Sequence, residues 1–461
     1  MTKLWAAAPS ALVLLALLGW TCGLPYELYE GASLDLQNVK PVSYSGYKLF
    51  RTDVDLEELP VVDSLDTSEG VDVWSLRKNE KNFQYQIDVL TPPAAEQKVR
   101  QVFTDHNLKY QEVIGDLQSA IDMEQKDDEL FAWNRPMHPM TWEKYHSVDD
   151  MNQYLEYLQG QYPNLVTVLD IGQSFENRTL HVVKVSSGPD KPAIWIDAGI
   201  HAREWIAPAT AMYILHRLVE FSWEDPDLIK QFNWYIMPLV NPDGYEYSRH
   251  NDRLWRKTRS TNSKQPKCLG TDANRNFGHE WFTGGSSDDP CSLIYAGEHP
   301  FSEPETRAIR DFLMKHRKEL KVYLSLHAYA QMWLLPWGHK KEHLSDYQDL
   351  YDVGKIAIQA IKNVSSTKYS IGSIPDVLYV ASGSSGDFAK GVAGIRYAYT
   401  LELRDSGKYG FILPREQIEP TGIETYQGIK VMARTVYGKL FPSQYTQEAK
   451  EAGQYVREQA S

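Results

Sequence analysis

The stretch with the clearest chemical content is Ile194-Trp195-Ile196-Asp197-Ala198-Gly199-Ile200-His201-Ala202-Arg203-Glu204-Trp205, an apolar run that breaks at a glycine and delivers a histidine and a glutamate three residues apart. At that spacing His201 and Glu204 can converge on one ion within a single turn. A third donor stands at His327, which closes the apolar run Val322-Tyr323-Leu324-Ser325-Leu326. Two imidazoles and a carboxylate with an open fourth position form the ligand set of a catalytic zinc site. His-x-x-Glu alone is weak in a chain with 13 histidines, so the reading as a mere surface pair stands until the rest of the constellation is considered.

Ligands so far apart in sequence need rigid elements to bring them together. From about Met140 onward, strands alternate with longer helices. Ser147 can cap a helix carrying Met151, Tyr154, Leu155 and Leu158, and strands follow at Val166 to Ile171, Leu180 to Val185 and Ala193 to Ala198. The spacing then predicts a helix from Ala207 to Phe221, a strand from Trp234 to Val240, and helices at Glu303 to Leu320, Leu350 to Lys362 and Glu424 to Leu440 around strands at Val322 to Leu326 and Tyr397 to Leu403. Long crossovers imply an α/β domain with a mixed, largely parallel twisted sheet covered on both faces, its reactive residues at the carboxyl ends of the strands. Asn241 to Pro300 reads as loop, where binding segments are expected.

Leu24 to Arg135 is different in kind. It holds 22 acids against 11 bases, nearly all of the chain's net charge of −13. Strands at Tyr47 to Val54, Val71 to Leu76, Phe83 to Leu90 and Tyr110 to Asp116, with helices at Leu56 to Asp66 and Pro93 to Asn107, give a β-α-β-β-α-β order. That order suits a small α+β, ferredoxin-like unit with an antiparallel sheet. Asp122 to Phe131 reads as an acidic helical connector.

Composition narrows the function classes. The acidic balance and the lack of any long basic run argue against nucleic acid and against an anionic membrane surface. Lys3 followed by the apolar stretch Ala11 to Trp20 and the small residues near Gly23 reads as a signal peptide over residues 1–23. No later run approaches the length needed to span a bilayer, and the polar stretch from Gln444 to Ser461 excludes a GPI signal. The expected product is secreted, extracellular and monomeric. Two sequons, Asn177-Arg178-Thr179 and Asn363-Val364-Ser365, agree with that route. Signal removal takes Cys22 and leaves Cys268 and Cys291, read as one bridge worth roughly 3 kcal/mol in the chain-entropy model. Two free buried thiols are the alternative.

His-Ala-Arg-Glu-Trp, Asn-Pro-Asp-Gly-Tyr, Trp-Arg-Lys-Thr-Arg, Asp-Ala-Asn-Arg-Asn and Glu-Leu-Arg-Asp occur here in one order. Together they resemble the secreted zinc metallocarboxypeptidases of the pancreatic and digestive A/B family, from about Thr141 to Phe441. The acidic first unit, residues 24–135, is similar to that family's inhibitory activation segment, leaving 136–461 as the catalytic domain. The resemblance implies one Zn2+ on His201, Glu204 and His327, a general acid/base at Glu402, and an oxyanion-stabilising arginine at Arg256. It implies that Asn274 and Arg275 bind the substrate's terminal carboxylate, that Tyr379 closes over it, and that Arg203 and Tyr329 touch the substrate further from its end. A glutamate between leucines on an apolar strand agrees with a role for Glu402, because burying it is costly. His181, His216, His250 and His279 fall outside these motifs and read as surface or core histidines.

By the same resemblance, Leu334, Gly338, Ile374, Leu378, Ala381, Gly386 and Thr400 line the pocket for the departing side chain. Selecting Lys or Arg would need a carboxylate at its floor, where this chain has Gly386, so the expectation is an A-like preference for hydrophobic and aromatic C-termini. A one-residue slip in Ser384-Ser385-Gly386-Asp387 would put Asp387 there and give B-like specificity. A zinc amidohydrolase of N-acyl amino acids and a catalytically silent relative are the remaining alternatives. An activating endoprotease is the implied partner, and it meets poor contexts at Arg135-Pro136 and Lys126-Asp127.

Overall fold

The computed structural model describes residues 40–66, 70–78, 84–126 and 138–443. The signal segment, both candidate cleavage bonds and the polar C-terminal tail are not within those ranges.

The acidic unit runs β1 (Lys48–Val54), α1 (Leu59–Asp66), β2 (Asp72–Lys78), β3 (Tyr85–Thr91), α2 (Glu96–Asp105), β4 (Tyr110–Ile114) and α3 (Leu117–Glu124). Its strands form an antiparallel sheet in the order β2-β3-β1-β4. Strand alternation sorts the side chains. Phe50, Val54, Ile87 and Val89 turn to one face and share a core with Leu65 of α1 and Val99 and Phe103 of α2. Leu49, Trp74 and Leu90 lie instead in the large core shared with the rest of the molecule. The expected connector helix, Asp122 to Phe131, is met within the described residues by α3, which starts at Leu117, ends at Glu124 and is capped by Asp116 accepting from Gln118 N; residues 127–131 lie outside the described residues.

The second unit continues with α4 (Val148–Gln161), β5 (Val166–Gln173), β6 (Thr179–Val185), β7 (Ala193–Ala198), α5 (Ile206–Val219), α6 (Pro226–Gln231), β8 (Asn233–Met237) and α7 (Pro242–His250). It ends with α8 (Pro304–His316), β9 (Leu320–His327), β10 (Met332–Leu335), α9 (Tyr347–Ser365), β11 (Ser370–Ser373), α10 (Ile374–Val377), α11 (Ser385–Gly391), β12 (Tyr397–Glu402) and α12 (Ile418–Leu440). The eight strands lie in the order β11-β10-β12-β9-β7-β8-β6-β5, and the central run β12-β9-β7-β8 is parallel. Its two faces are covered separately. Ile194, Ile196, Val322 and Leu324 pack into the core with α4, α5, α9 and α12, whereas Trp195 and Tyr323 pack with Ile309, Phe312 and Leu313 of α8. A sheet apolar on both faces is what the near-continuous apolar runs of β7 and β9 specify.

The stretch read as loop from Asn241 opens with a helix, and a second helix, α11, has no counterpart in the sequence reading. Asn241 caps α7 by accepting from Gly244 N, with Pro242 at its first position, and Ser384 caps α11 by accepting from Asp387 N. Cys268 and Cys291 form the expected disulfide, Cα–Cα 4.9 Å, within the loop between α7 and α8.

Candidate active site

The parallel strands put the ligands at one edge of the sheet. His327 ends β9 and Glu402 ends β12, paired in register as neighbours. β7 runs parallel beside β9 and is followed by Gly199 at φ +67, where a Cβ would sit 2.6 Å from Leu239 Cδ1. Only glycine makes that turn without strain. One turn later, Glu204 N meets His201 O at 3.3 Å and α5 begins.

His201, Glu204 and His327 are buried, and their donor atoms lie within 4.8 Å of one another. His201 Nδ1 is 2.8 Å from Glu204 Oε1, His327 Nδ1 is 3.1 Å from Glu204 Oε2, and the two Nδ1 atoms are 3.1 Å apart. The outer nitrogens are engaged. His201 Nε2 lies 3.1 Å from Asp272 Oδ1, and His327 Nε2 lies 3.2 Å from Ser325 Oγ, which itself donates to Asp197 Oδ1 at 2.6 Å. The Nδ1 atoms of both rings and the Glu204 carboxylate thus converge on one point. Two ring nitrogens and a carboxylate in that arrangement fit a divalent cation. Burial acts against the Glu204 charge, but the two imidazoles outweigh it and hold the carboxyl well below its usual range. Zinc is accordingly the metal these residues fit.

Around the ligands, Glu402 lines the cleft with Arg256, Asn274, Arg275 and Tyr379. Burial pushes the Glu402 carboxyl up to about 8, with Glu204 adding to the rise and His327, Arg256 and Arg275 opposing it. Arg256 is held by Asp272 Oδ2, at 2.8 Å from Nη2 and 3.2 Å from Nε. Asp272 thus orients a zinc ligand with one oxygen and the arginine with the other. Arg275 donates through Nε to Gly285 O at 2.9 Å, and Asn274 Oδ1 accepts from Ser385 N at 2.9 Å. Tyr379 is 45% exposed at the cleft mouth.

Leu334, Ile374, Leu378, Ala381 and Thr400 stand on the cleft wall. Gly338 and Gly386 are buried beside it; a Cβ added at Gly386 would meet only Thr400 Oγ1, at 3.4 Å. The Asp387 carboxylate is fully buried and already occupied, accepting from Gly338 N at 2.9 Å, His339 N at 3.0 Å and His339 Nδ1 at 2.7 Å.

Trp74, Ser75 and Leu76 of β2 close one side of the same cleft. The seam there is charged as well as apolar. Arg203 Nη1 donates to Asp72 at 2.7 Å, and the Tyr329 hydroxyl to Asp88 at 2.8 Å. Arg51 grips Asp88 with two bonds of 2.6 and 2.8 Å and reaches Gly407 O at 2.8 Å. Glu124 of α3 receives a bidentate bond from Arg253, 2.6 and 2.9 Å, which also donates to Arg203 O and Phe411 O. Both residues expected to touch substrate away from its end are therefore held by the acidic unit.

Sequence reasoning missed Asp272, Asp197, Ser325 and the seam carboxylates. Asp197 carried a usable signal, since it is an acid inside an otherwise apolar strand, the same argument that singled out Glu402.

The family profile for zinc carboxypeptidases matches residues 151–428, and that for the carboxypeptidase activation peptide matches residues 52–124. Carboxypeptidase B of Astacus astacus is 48% identical over 64% of this chain and 98% of its own length. Carboxypeptidase A4 of Mus musculus is 37% identical over 91% of this chain and 100% of its own. Among solved structures, carboxypeptidase A from Helicoverpa armigera superposes with a TM-score of 0.78 at 32% identity, covering 86% of this chain and 98% of that one. The chain belongs to the zinc carboxypeptidase family. It is a metalloexopeptidase made as a proenzyme, with an activation segment ahead of the catalytic domain.

Proposed function

We propose that this zinc carboxypeptidase is secreted as its proenzyme and that the mature form releases aromatic and large aliphatic residues from peptide C-termini. Arg275, with Asn274, takes the terminal carboxylate by paired charged hydrogen bonds, and Tyr379 closes over it. Arg203 and Tyr329, freed of Asp72 and Asp88 on activation, contact the chain further in. Zinc, when bound, supplies the Lewis acidity that polarises the scissile carbonyl and acidifies water. Glu402 accepts the proton of the attacking water and passes it to the departing amine, while Arg256 faces the carbonyl oxygen as its charge grows.

The observation that carries the specificity is Asp387. Its carboxylate is engaged by Gly338 N, His339 N and the His339 ring, which hold it to that loop, and the wall beside it is apolar, which supports an uncharged departing side chain. The 48% identity to a carboxypeptidase B favours the second reading, release of Lys and Arg. Peptides differing only in their last residue, incubated with activated enzyme with and without chelator, decide between them. Faster release of Phe, Tyr or Leu is expected, and faster release of Lys or Arg would overturn the A-like reading. Secretion is supported by the disulfide and by the N-terminal apolar segment. Its test is recovery from culture medium of protein that has lost residues 1–23.

A further inference from the structure

The turn joining β5 to β6 is built with more care than a surface hairpin needs. Ser174 N bonds Arg178 O at 2.8 Å and Asn177 N bonds Ser174 O at 3.0 Å. Asp243 pins it from beneath, accepting from Ser174 Oγ at 2.6 Å, Glu176 N at 2.7 Å and Arg178 Nη1 at 2.7 Å. Glu305 adds a bond to Phe175 N at 3.0 Å. Two side chains are left out of this scaffold. Asn177 is exposed at φ +63, and no hydrogen bond reaches its carboxamide among the described residues. Phe175, two positions earlier, is 41% exposed and has no aromatic partner among them.

Left-handed backbone alone would explain an asparagine in a turn. It does not explain an unpartnered phenyl ring beside it, nor Thr179 at the position that completes an acceptor sequon and opens β6. The other sequon is placed differently. Asn363 sits in the last turn of α9, where its Oδ1 accepts from Gln359 Nε2 at 2.7 Å and the Ser365 hydroxyl donates to Ile361 O at 3.0 Å.

We propose that Asn177 carries an N-linked glycan and that the Phe175 ring is the platform for its first sugar. The inference rests on the secretory route proposed above. In the transfer, the Asn177 amide nitrogen bonds to the anomeric carbon of a lipid-diphosphate-linked oligosaccharide, the bond from that carbon to the diphosphate oxygen breaks, one amide proton is lost, and the lipid diphosphate leaves. The negative face of the phenyl ring then meets the C–H face of the proximal sugar, covering an apolar surface that the protein itself leaves open. Because Asp243 and Glu305 fix the turn that carries both residues, little further ordering is left to lose.

The full chain is expressed in a eukaryotic secretory host and collected from the medium. Treatment with an amidase that removes Asn-linked glycans is expected to lower the mass of the wild type by one glycan more than that of Asn177→Gln, with peptidase activity after activation alike in both. Equal mass loss in the two overturns the proposal. A chain that stays in the cytosol with residues 1–23 intact overturns the secretory reading and this inference with it, whereas a secreted chain unmodified at Asn177 overturns this inference alone. For the platform, glycosylated wild type is expected to melt roughly 1–3 °C above Asn177→Gln, a difference that vanishes when both carry Phe175→Ala. An equal difference in the two backgrounds would reject the role of the ring.

Discussion

His201, Glu204 and His327 bring two ring nitrogens and a carboxylate together at one point, whereas Asp72, Asp88 and Glu124 in the seam each meet a guanidinium. Asp88 and Glu124 are as buried as the cluster, and Asp72 is half-buried. In the first, the charge balance is completed by a cation from outside, which makes the cluster a reactive centre. In the second, the protein supplies both signs, so the seam is inert and separable, and cutting the chain can free one partner from the other. On the proposed function, the guanidinium that closes the seam on Arg203 is the one the mature cleft offers to substrate.

Glu402→Gln tests the reactive side. Removing the proton acceptor while leaving the three ligands should keep one bound zinc per chain and lower kcat by about 10³–10⁴-fold. Metal analysis alongside turnover on a C-terminal Phe peptide checks this, and normal turnover would remove Glu402 from the mechanism. Glu204→Gln should instead lose the metal and the activity together.

Glu124→Ala tests the paired side, because it leaves Arg253 buried without its partner. Breaking one member of a buried pair costs about 3–5 kcal/mol, so the activity of the uncut proenzyme should rise by roughly 10²-fold while the mature enzyme, which lacks residue 124, is unchanged. Burial outweighs Arg253 and holds the Glu124 carboxyl above its ordinary range. A group so shifted favours the docked form as pH falls through the docked pKa and disfavours it as pH rises. Mild acid should therefore fail to open the seam through Glu124, and proenzyme activity at pH 5 above that at pH 7 would contradict this.

Much of the reactive side is legible in sequence, because its ligands close apolar strands and follow a glycine turn. The seam is not. Its partners are 131 residues apart for Asp72 and Arg203 and 241 apart for Asp88 and Tyr329, and no local pattern announces such a pair. The sheet shows the same division. β7 follows its apolar run from Ala193 to Ala198, while β10 and β11, four residues each, are too short for periodicity to reveal. α7 and α11 were hidden by Asn-Pro-Asp-Gly and Ser-Ser-Gly, stretches that read as turns yet begin with side chains able to cap a helix. The fate of Asp387 depends on a histidine 48 residues away.

Gly386→Asp carries the logic of the seam into the cleft by placing a carboxylate where none stands. Space allows it, since a new Cβ finds nothing closer than Thr400 Oγ1 at 3.4 Å. The ratio of kcat/KM for Lys-ended over Phe-ended peptides should rise by about 10–100-fold as an incoming ammonium gains a partner. An unchanged ratio would mean that position 386 does not face the departing side chain.

Glu305 is a third solution to the same problem, a buried carboxyl with no salt bridge to a basic side chain among the described residues. It accepts Phe175 N at 3.0 Å through Oε1, its Oε2 has no hydrogen-bond partner among the described residues, and Glu303 stands nearby. Burial first, then Glu303, push it up to about 8, so the folded protein holds this proton across a range in which the unfolded chain has lost it. Between the ordinary carboxyl range and about pH 8 the native state binds more protons than the unfolded one, and stability falls as pH rises. Glu305→Gln keeps the acceptor for Phe175 N and cannot ionise. Its melting temperature should track the wild type near pH 5 and exceed it by roughly 2–4 °C near pH 8.5, read by calorimetry on the proenzyme. Parallel curves across that window would mean that Glu305 is ionised and has found a cation after all.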